Sequence, residues 1–369
     1  MTSGVNGLAT QLAAITTRPW TLMEVCGGQT HAIVRWGLDQ LLPPGLRLIH
    51  GPGCPVCVTP AATIDAALQL ARRPEVILCS YGDMLRVPGS GSDDLLGVRA
   101  AGGDVRLLTS PLQALELARR HPQRTVVFLA VGFETTAPAT ALLARQALRS
   151  GVRNLSLLTA HVRVPPAMEA ILSADGNQVQ GFLAAGHVCT VMGTGELNEL
   201  VQRHRVPVVV TGFEPIDLMR GLLRCVELLE AGQPRLANAY PRVVKPEGNP
   251  AARELLEEVF AVVDQPWRGF GMIRGGGLAL RGPYASLDVR HHVSPGGGTA
   301  GDPLPERGKG EGQGDPGNPC ISGLILQGRR SPRDCPAFGT SCTPEHPLGA
   351  PMVSSEGACA AYHLYRRHD

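Results

Sequence analysis

From about residue 45 to 235 the chain alternates short apolar or β-branched runs with longer helical stretches, and this alternation limits the fold more than any other feature. Candidate strands are Leu46–Ile49, Val76–Cys79, Val105–Leu108, Thr125–Val131, Leu155–Thr159 and Val206–Thr211. Between them lie helical stretches such as Ala61–Ala71, Pro111–Arg120, Ala137–Ser150 and Glu196–Arg203. A strand, a helix and a further strand in succession favour parallel sheets with helices on both faces. In such open sheets ligands sit beyond the carboxyl ends of the strands. Here those ends carry the unusual residues, and two of them echo each other. Phe128-Leu129-Ala130-Val131-Gly132-Phe133-Glu134 resembles Val208-Val209-Val210-Thr211-Gly212-Phe213-Glu214, a pattern that two similar α/β units, or two edges of one unit, would produce.

With 369 residues there is room for two or three domains, each with its own core. Lys and Arg number 34 against 32 Asp and Glu, so charge suggests neither a nucleic-acid nor a membrane partner. No apolar run reaches the roughly 18 residues of a membrane-spanning helix. Met1 to Trp20 lacks a basic region followed by an apolar core and a small-residue cleavage site, which argues against a signal peptide and for a cytoplasmic protein. Ten cysteines without an export signal point to metal or redox chemistry rather than to structural disulfides. Cys79, Cys189 and Cys225 sit in apolar surroundings such as Val76-Ile77-Leu78-Cys79 and read as plain core residues.

The early cysteines stand in glycine-rich turns. In Glu24-Val25-Cys26-Gly27-Gly28-Gln29-Thr30-His31 the glycines let the backbone approach a ligand closely. Peptide N–H groups at the start of a following helix, about 30–42, are expected to lower the thiol pKa and make Cys26 a metal ligand or nucleophile. A glycine turn with an incidental cysteine is the alternative. Gly51-Pro52-Gly53-Cys54-Pro55-Val56-Cys57 follows a candidate strand and leads into a helix. Cys54 and Cys57 can close a small-loop disulfide, bind a metal through both sulfurs, or exchange disulfides as thioredoxin does. Nearby prolines stiffen the turn and reduce the entropy lost in holding both sulfurs ready.

Cys320, Cys335, Cys342 and Cys359 have fourteen, six and sixteen residues between them, so they must converge from loops and the start of a final helix. Four such thiolates hold a structural zinc or a [4Fe–4S] cluster, although the set lacks the close pairs of zinc ribbons and the tight runs of ferredoxins. The stretch Ser294–Asn318, rich in Gly, Pro and charge, reads as a mobile loop or linker. His161, His187, Glu134 and Glu214 fall at or near strand ends, where hydrogen-bonded structural groups are common. Four of them on related ends suggest a shared cleft, in which Glu134 could orient a thiol, a small ligand or a loop.

At Cys26–His31 and Gly51–Pro60 the chain resembles the HypD family of [NiFe]-hydrogenase maturation proteins. The resemblance continues through Gly132-Phe133-Glu134-Thr135-Thr136, His161–Ala167, Gly212-Phe213-Glu214-Pro215 and Trp267-Arg268-Gly269. It closes with Cys335-Pro336-Ala337-Phe338-Gly339, Cys342-Thr343-Pro344 and Met352–Tyr362, so it covers essentially the whole chain in order.

The resemblance implies two Rossmann-like parallel-sheet α/β domains facing a cleft, plus a smaller, mostly helical or loop domain carrying a [4Fe–4S] cluster. The expected divisions are 1–110, 111–235 and 236–369. It further implies a monomer that acts as a redox-active scaffold rather than a conventional turnover enzyme. On that scaffold, together with the small protein HypC, one iron receives two cyanides and one carbon monoxide to give the Fe(CN)2(CO) group. HypE is the implied cyanide donor. Cys26 is implied as a ligand of that iron, Cys54 and Cys57 as its redox-active pair, and Cys320, Cys335, Cys342 and Cys359 as the cluster ligands. His31 would tune the Cys26 thiolate, and the Glu134 loop would shape the cleft. Ser322 and Pro351 stand where the family usually has further cysteines, so no thiol relay can run through them. The rival classes are a cluster-fed thiol–disulfide oxidoreductase and a zinc-binding structural scaffold.

Overall fold

Long buried apolar runs at residues 76–80, 125–132 and 155–161 have side chains to hide on both faces, which only a sheet covered on both sides permits. The computed structural model, which describes residues 2–292 and 319–366, meets that demand twice. In chain order the strands are β1 (Trp20–Glu24), β2 (Leu46–His50), β3 (Val76–Ser80), β4 (Val105–Leu107), β5 (Thr125–Gly132), β6 (Leu155–His161), β7 (Gly181–Ala185), β8 (Val208–Thr211), β9 (Leu236–Asn238), β10 (Phe260–Trp267) and β11 (Gly271–Leu280). One sheet runs β2-β1-β7-β8-β9 and a second runs β4-β3-β5-β6. Every pairing in both is parallel. The fold is α/β, as the alternation requires.

Alternate residues of each strand enter different cores, as the two-residue period of a strand dictates. Ile77, Val126, Phe128, Leu155 and Leu157 fill one face of the second sheet. Leu78, Val127, Leu129, Val131 and Leu158 fill the other. The first sheet divides likewise, with Met23, Ile49, Phe182 and Val210 on one side and Leu22, Leu183 and Val209 on the other.

The sheets are not shared out along the chain as the divisions at 110 and 235 suppose. β3 and β4 precede residue 110 yet pair with β5 and β6, whereas β1 lies beside β7 and β9 lies beyond residue 235. The second sheet is therefore inserted between β2 and β7 of the first, an arrangement that no local pattern reveals. Nor do residues 236–292 belong with the tail. The antiparallel hairpin β10–β11, with an irregularity between Val263 and Gln265, packs Phe260, Leu278 and Leu280 on the second sheet. It also sends Trp267 and Ile273 into the core of the first.

The tail from residue 319 is built from short helices, Ser322–Leu326 and Ala358–Tyr365, and tight turns around Ile325, Ala337, Cys342, Met352, Ala358 and Cys359. The stretch Ser294–Asn318 lies outside the described residues. Among the described residues no helix is long and apolar enough to cross a membrane. Of the echoed pair, β5 belongs to the second sheet and β8 to the first, so the echo marks two similar units.

Candidate functional site

β1 and β2 are neighbours in register, with Glu24 opposite His50, so both early cysteine turns leave the same edge of the sheet at its carboxyl end. The turns are laced together by backbone. Gly51 N–H donates to the Glu24 carbonyl at 2.8 Å, and Gly27 N–H donates to the Gly53 carbonyl at 2.8 Å. A Cβ on Gly53 would stand 2.2–2.5 Å from the main-chain N, Cα and C of Cys26, so only glycine allows this approach. Cys26 is the N-cap of the helix Gly27–Trp36, and Cys54 caps the short helix Pro55–Val58. Cys54 and Cys57 are joined as a disulfide. Cys26, Cys54 and Cys57 are buried in one core cluster. The two early cysteine turns therefore form one locus.

The Cys26 thiol differs from expectation in its ionisation. Burial pushes its pKa up, and Glu24 and Glu356 add to the rise, while backbone N–H groups of Gln29 and Gly28 act against it. The helix start does favour the thiolate, but removal from water outweighs it.

The imidazole beside Cys26 is that of His187, not His31. Cys26 Sγ lies 3.7 Å from His187 Nδ1, and His187 stacks on Phe213 with ring centroids 5.1 Å apart. Burial lowers the His187 pKa to about 4, which leaves the ring neutral at neutral pH. His31 instead faces the tail, with Nδ1 3.0 Å from the Ser355 carbonyl and Nε2 3.3 Å from the Tyr365 hydroxyl. Five positions along a helix turn a side chain by about 140°, so closeness in sequence does not bring His31 to the thiol.

Under Cys26 runs a buried polar chain that sequence reasoning missed. Glu24, fully buried, accepts from the Cys26 N–H at 2.9 Å, from the Thr30 hydroxyl, and from His50 Nδ1 at 2.7 Å. His50 Nε2 lies 3.2 Å from the Tyr362 hydroxyl, on the helix that begins with Ala358 and Cys359. The only sequence signal was an acid and a histidine at the ends of adjacent strands. The Trp267-Arg268-Gly269 turn also docks here, where Arg268 donates from its backbone N–H to Val58 O at 2.8 Å and from Nε to Thr59 O at 2.9 Å.

The four tail cysteines converge. Burial raises the pKa of Cys359 far above the ordinary thiol value, and the neighbouring Cys320, Cys342 and Cys335 raise it further. Burial likewise raises Cys342, whose sulfur accepts the Leu348 N–H at 3.4 Å. Cys320 Sγ and Ser322 Oγ both face Gly349. Among the described residues no three His, Cys, Asp or Glu side chains gather tightly enough for a single metal ion. Four thiols within electrostatic reach, but not gathered on one point, suit a cluster that takes one thiolate at each corner.

Glu134 lies where the ends of the two sheets meet, with the Cys189 thiol nearby. Its carboxyl is buried, and Oε1 accepts the Val164 N–H at 3.0 Å. Burial pushes its pKa up to about 7, although its own backbone N–H, Arg163 and the Val164 N–H pull the other way. The expected sharing of a cleft by both pairs of strand-end residues holds only in part. His161 packs edge-on against Phe260, and Glu214 is exposed beside Arg242.

Fold and site together define an α/β scaffold with a buried disulfide and thiol locus at the carboxyl end of one sheet and a second thiol cluster in its tail. Comparison with known proteins makes this specific. The HypD family model, described as the hydrogenase formation hypA family, matches residues 4–366. The chain is 46% identical over 368 residues to the hydrogenase expression/formation protein HupD of Azotobacter chroococcum mcd 1, covering 98% of this chain and 93% of that protein. It is 46% identical over 356 residues to the hydrogenase maturation factor HypD of Azotobacter vinelandii, covering 95% and 90%. With HypD of Escherichia coli strain K12 it shares 42% over 362 residues, covering 98% and 93%. The chain belongs to the HypD family of hydrogenase maturation factors.

Proposed function

We propose that the protein is a redox-active scaffold on which the Fe(CN)2(CO) group of a [NiFe] hydrogenase is assembled, with a HypC-type small protein as co-scaffold and a HypE-type protein as cyanide donor. The observation that carries this reading is the lacing of the Cys26 turn to the Cys54–Cys57 turn at one sheet edge. The iron that receives the cyanides and carbon monoxide is cargo, and Cys26 Sγ is the soft donor that suits such an iron. His187, neutral beside that sulfur, leaves it free of a competing positive charge. Reduction of the Cys54–Cys57 disulfide breaks one S–S bond, takes up two electrons and two protons, and leaves two thiols next to the Cys26 backbone.

Cys320, Cys335, Cys342 and Cys359 would hold a [4Fe–4S] group, whose chemistry when bound is the supply of single electrons. The polar chain Glu24–His50–Tyr362 fixes the Cys26 turn against the helix that carries Cys359. The buried disulfide disfavours the rival oxidoreductase, because exchange with an outside substrate needs an accessible sulfur. The test is Cys26→Ala in the complex with the HypC-type partner. The cyanide and carbonyl infrared bands should vanish while the tail cluster's absorbance persists, and unchanged bands would remove Cys26 from the role.

A further inference from the structure

The helix Ala358–Tyr365 carries a buried polar atom that the contacts described so far leave unused. His363 Nε2 is buried and has no hydrogen-bond partner among the described residues. An unpaired buried polar atom is destabilising, so native structures nearly always satisfy it.

Two observations point to its partner. His363 follows Cys359 by four positions, so the two share one helix face, and helical side chains lean back toward the N-terminus. That lean carries the imidazole toward the turn bearing Cys359. The ring also meets Phe338 edge-on, with centroids 6.2 Å apart. Phe338 donates its backbone N–H to the Cys335 carbonyl at 3.0 Å and pairs with Cys342 in a short bridge. The apolar core that Phe338 joins holds Ile325, Ala337 and Met352 beside Cys335, Cys342 and Cys359, and its side-chain acceptors are sulfurs.

We infer that His363 donates from Nε2 to a sulfur of the [4Fe–4S] group that Cys320, Cys335, Cys342 and Cys359 would hold, and thereby raises its reduction potential. The inference rests on the proposed reading of the tail as a cluster site. Such a group takes up one electron on reduction, and hydrogen bonds to its sulfurs help to set the potential. A donor facing sulfur stabilises the added negative charge. The Leu348 N–H, 3.4 Å from Cys342 Sγ, is placed to act in the same way. The role requires the tautomer with hydrogen on Nε2, in which Nδ1 is the ring's acceptor.

The test uses the full chain purified anaerobically, with iron and acid-labile sulfide counted and the potential read by EPR during a redox titration. His363→Phe keeps an aromatic ring but has no donor. It should retain wild-type iron and sulfide, yet its reduced form should be at least about tenfold harder to populate, a shift of about 59 mV to more negative potential. His363→Gln, whose amide nitrogen can take the place of Nε2–H, should recover most of that shift. With nitrogen-15 in histidine alone, pulsed EPR of the reduced wild type should show a nitrogen coupling that His363→Phe lacks. An unchanged potential in His363→Phe, equal shifts in the two variants, or no histidine coupling would each overturn the inference. Iron or sulfide lost in His363→Phe would overturn it too, since the ring would then support the fold rather than tune the group. Wild type without iron and sulfide would defeat the cluster reading and this inference with it. A loaded wild type whose potential ignores the loss of His363 defeats this inference alone.

Discussion

Glu134 makes a prediction that needs no ligand. Its carboxyl is 2% exposed and is moved from an ordinary 4.5 to about 7, chiefly by burial. A folded-state pKa above the unfolded one means that the native protein holds the proton more tightly. The stability this gives is complete below about pH 4.5 and is lost as pH rises through about 7. At about 1.4 kcal/mol per pH unit, the full loss is roughly 3 kcal/mol, of which about 2 kcal/mol falls between pH 5.5 and 8.5. Gln is neutral throughout, keeps an acceptor for the Val164 N–H, and is nearly the same size. Glu134→Gln should therefore be more stable than wild type at pH 8.5, and its advantage should shrink by about 2 kcal/mol at pH 5.5. Urea unfolding of both proteins across that range measures the difference directly. A constant difference between them, or a larger advantage for the variant at acid pH, would refute the reasoning.

Three further outcomes follow from the same contacts. Gly53→Ala should cost about 1–3 kcal/mol in urea unfolding and break the Gly27–Gly53 hydrogen bond, since its methyl meets Cys26 main chain; a variant as stable as wild type would mean the turns can part freely. Tyr362→Phe removes the hydroxyl beside His50 and should lower stability by about 1 kcal/mol, with no loss of tail iron or sulfide. Cys359→Ser should lower iron and acid-labile sulfide in the anaerobically purified chain, and full content in that variant would exclude Cys359 as a ligand.

The α/β class was legible because β5 and β6 are continuous apolar runs and because the helix Ala61–Ala71 ends where its periodicity ends. β1 was hidden, for it finishes in an acid, and an acid is a poor candidate for a fully buried position. Glu24 is tolerated because His50, Thr30 and the Cys26 N–H satisfy it, and His50 reaches it only through strand pairing. β7, Gly-Phe-Leu-Ala-Ala, is short and has few of the residues that favour strands. The cysteines could be picked out because their residue type and spacing carry the chemistry. The neighbour of Cys26 could not, since His187 comes from 161 positions away while His31, close in sequence, rotates toward the tail. The repeated Gly-Phe-Glu misled in one respect, because the buried Glu134 and the exposed Glu214 share a motif but not an environment.

The proposal of two separate sulfur sites, one for cargo iron and one for electrons, is tested most directly by counting iron in the assembled complex. With the HypC-type partner bound, Cys26→Ala should carry one iron fewer per chain than wild type, with acid-labile sulfide unchanged. Equal iron in the two proteins, or sulfide lost together with the iron, would contradict the division of labour between the front thiols and the tail.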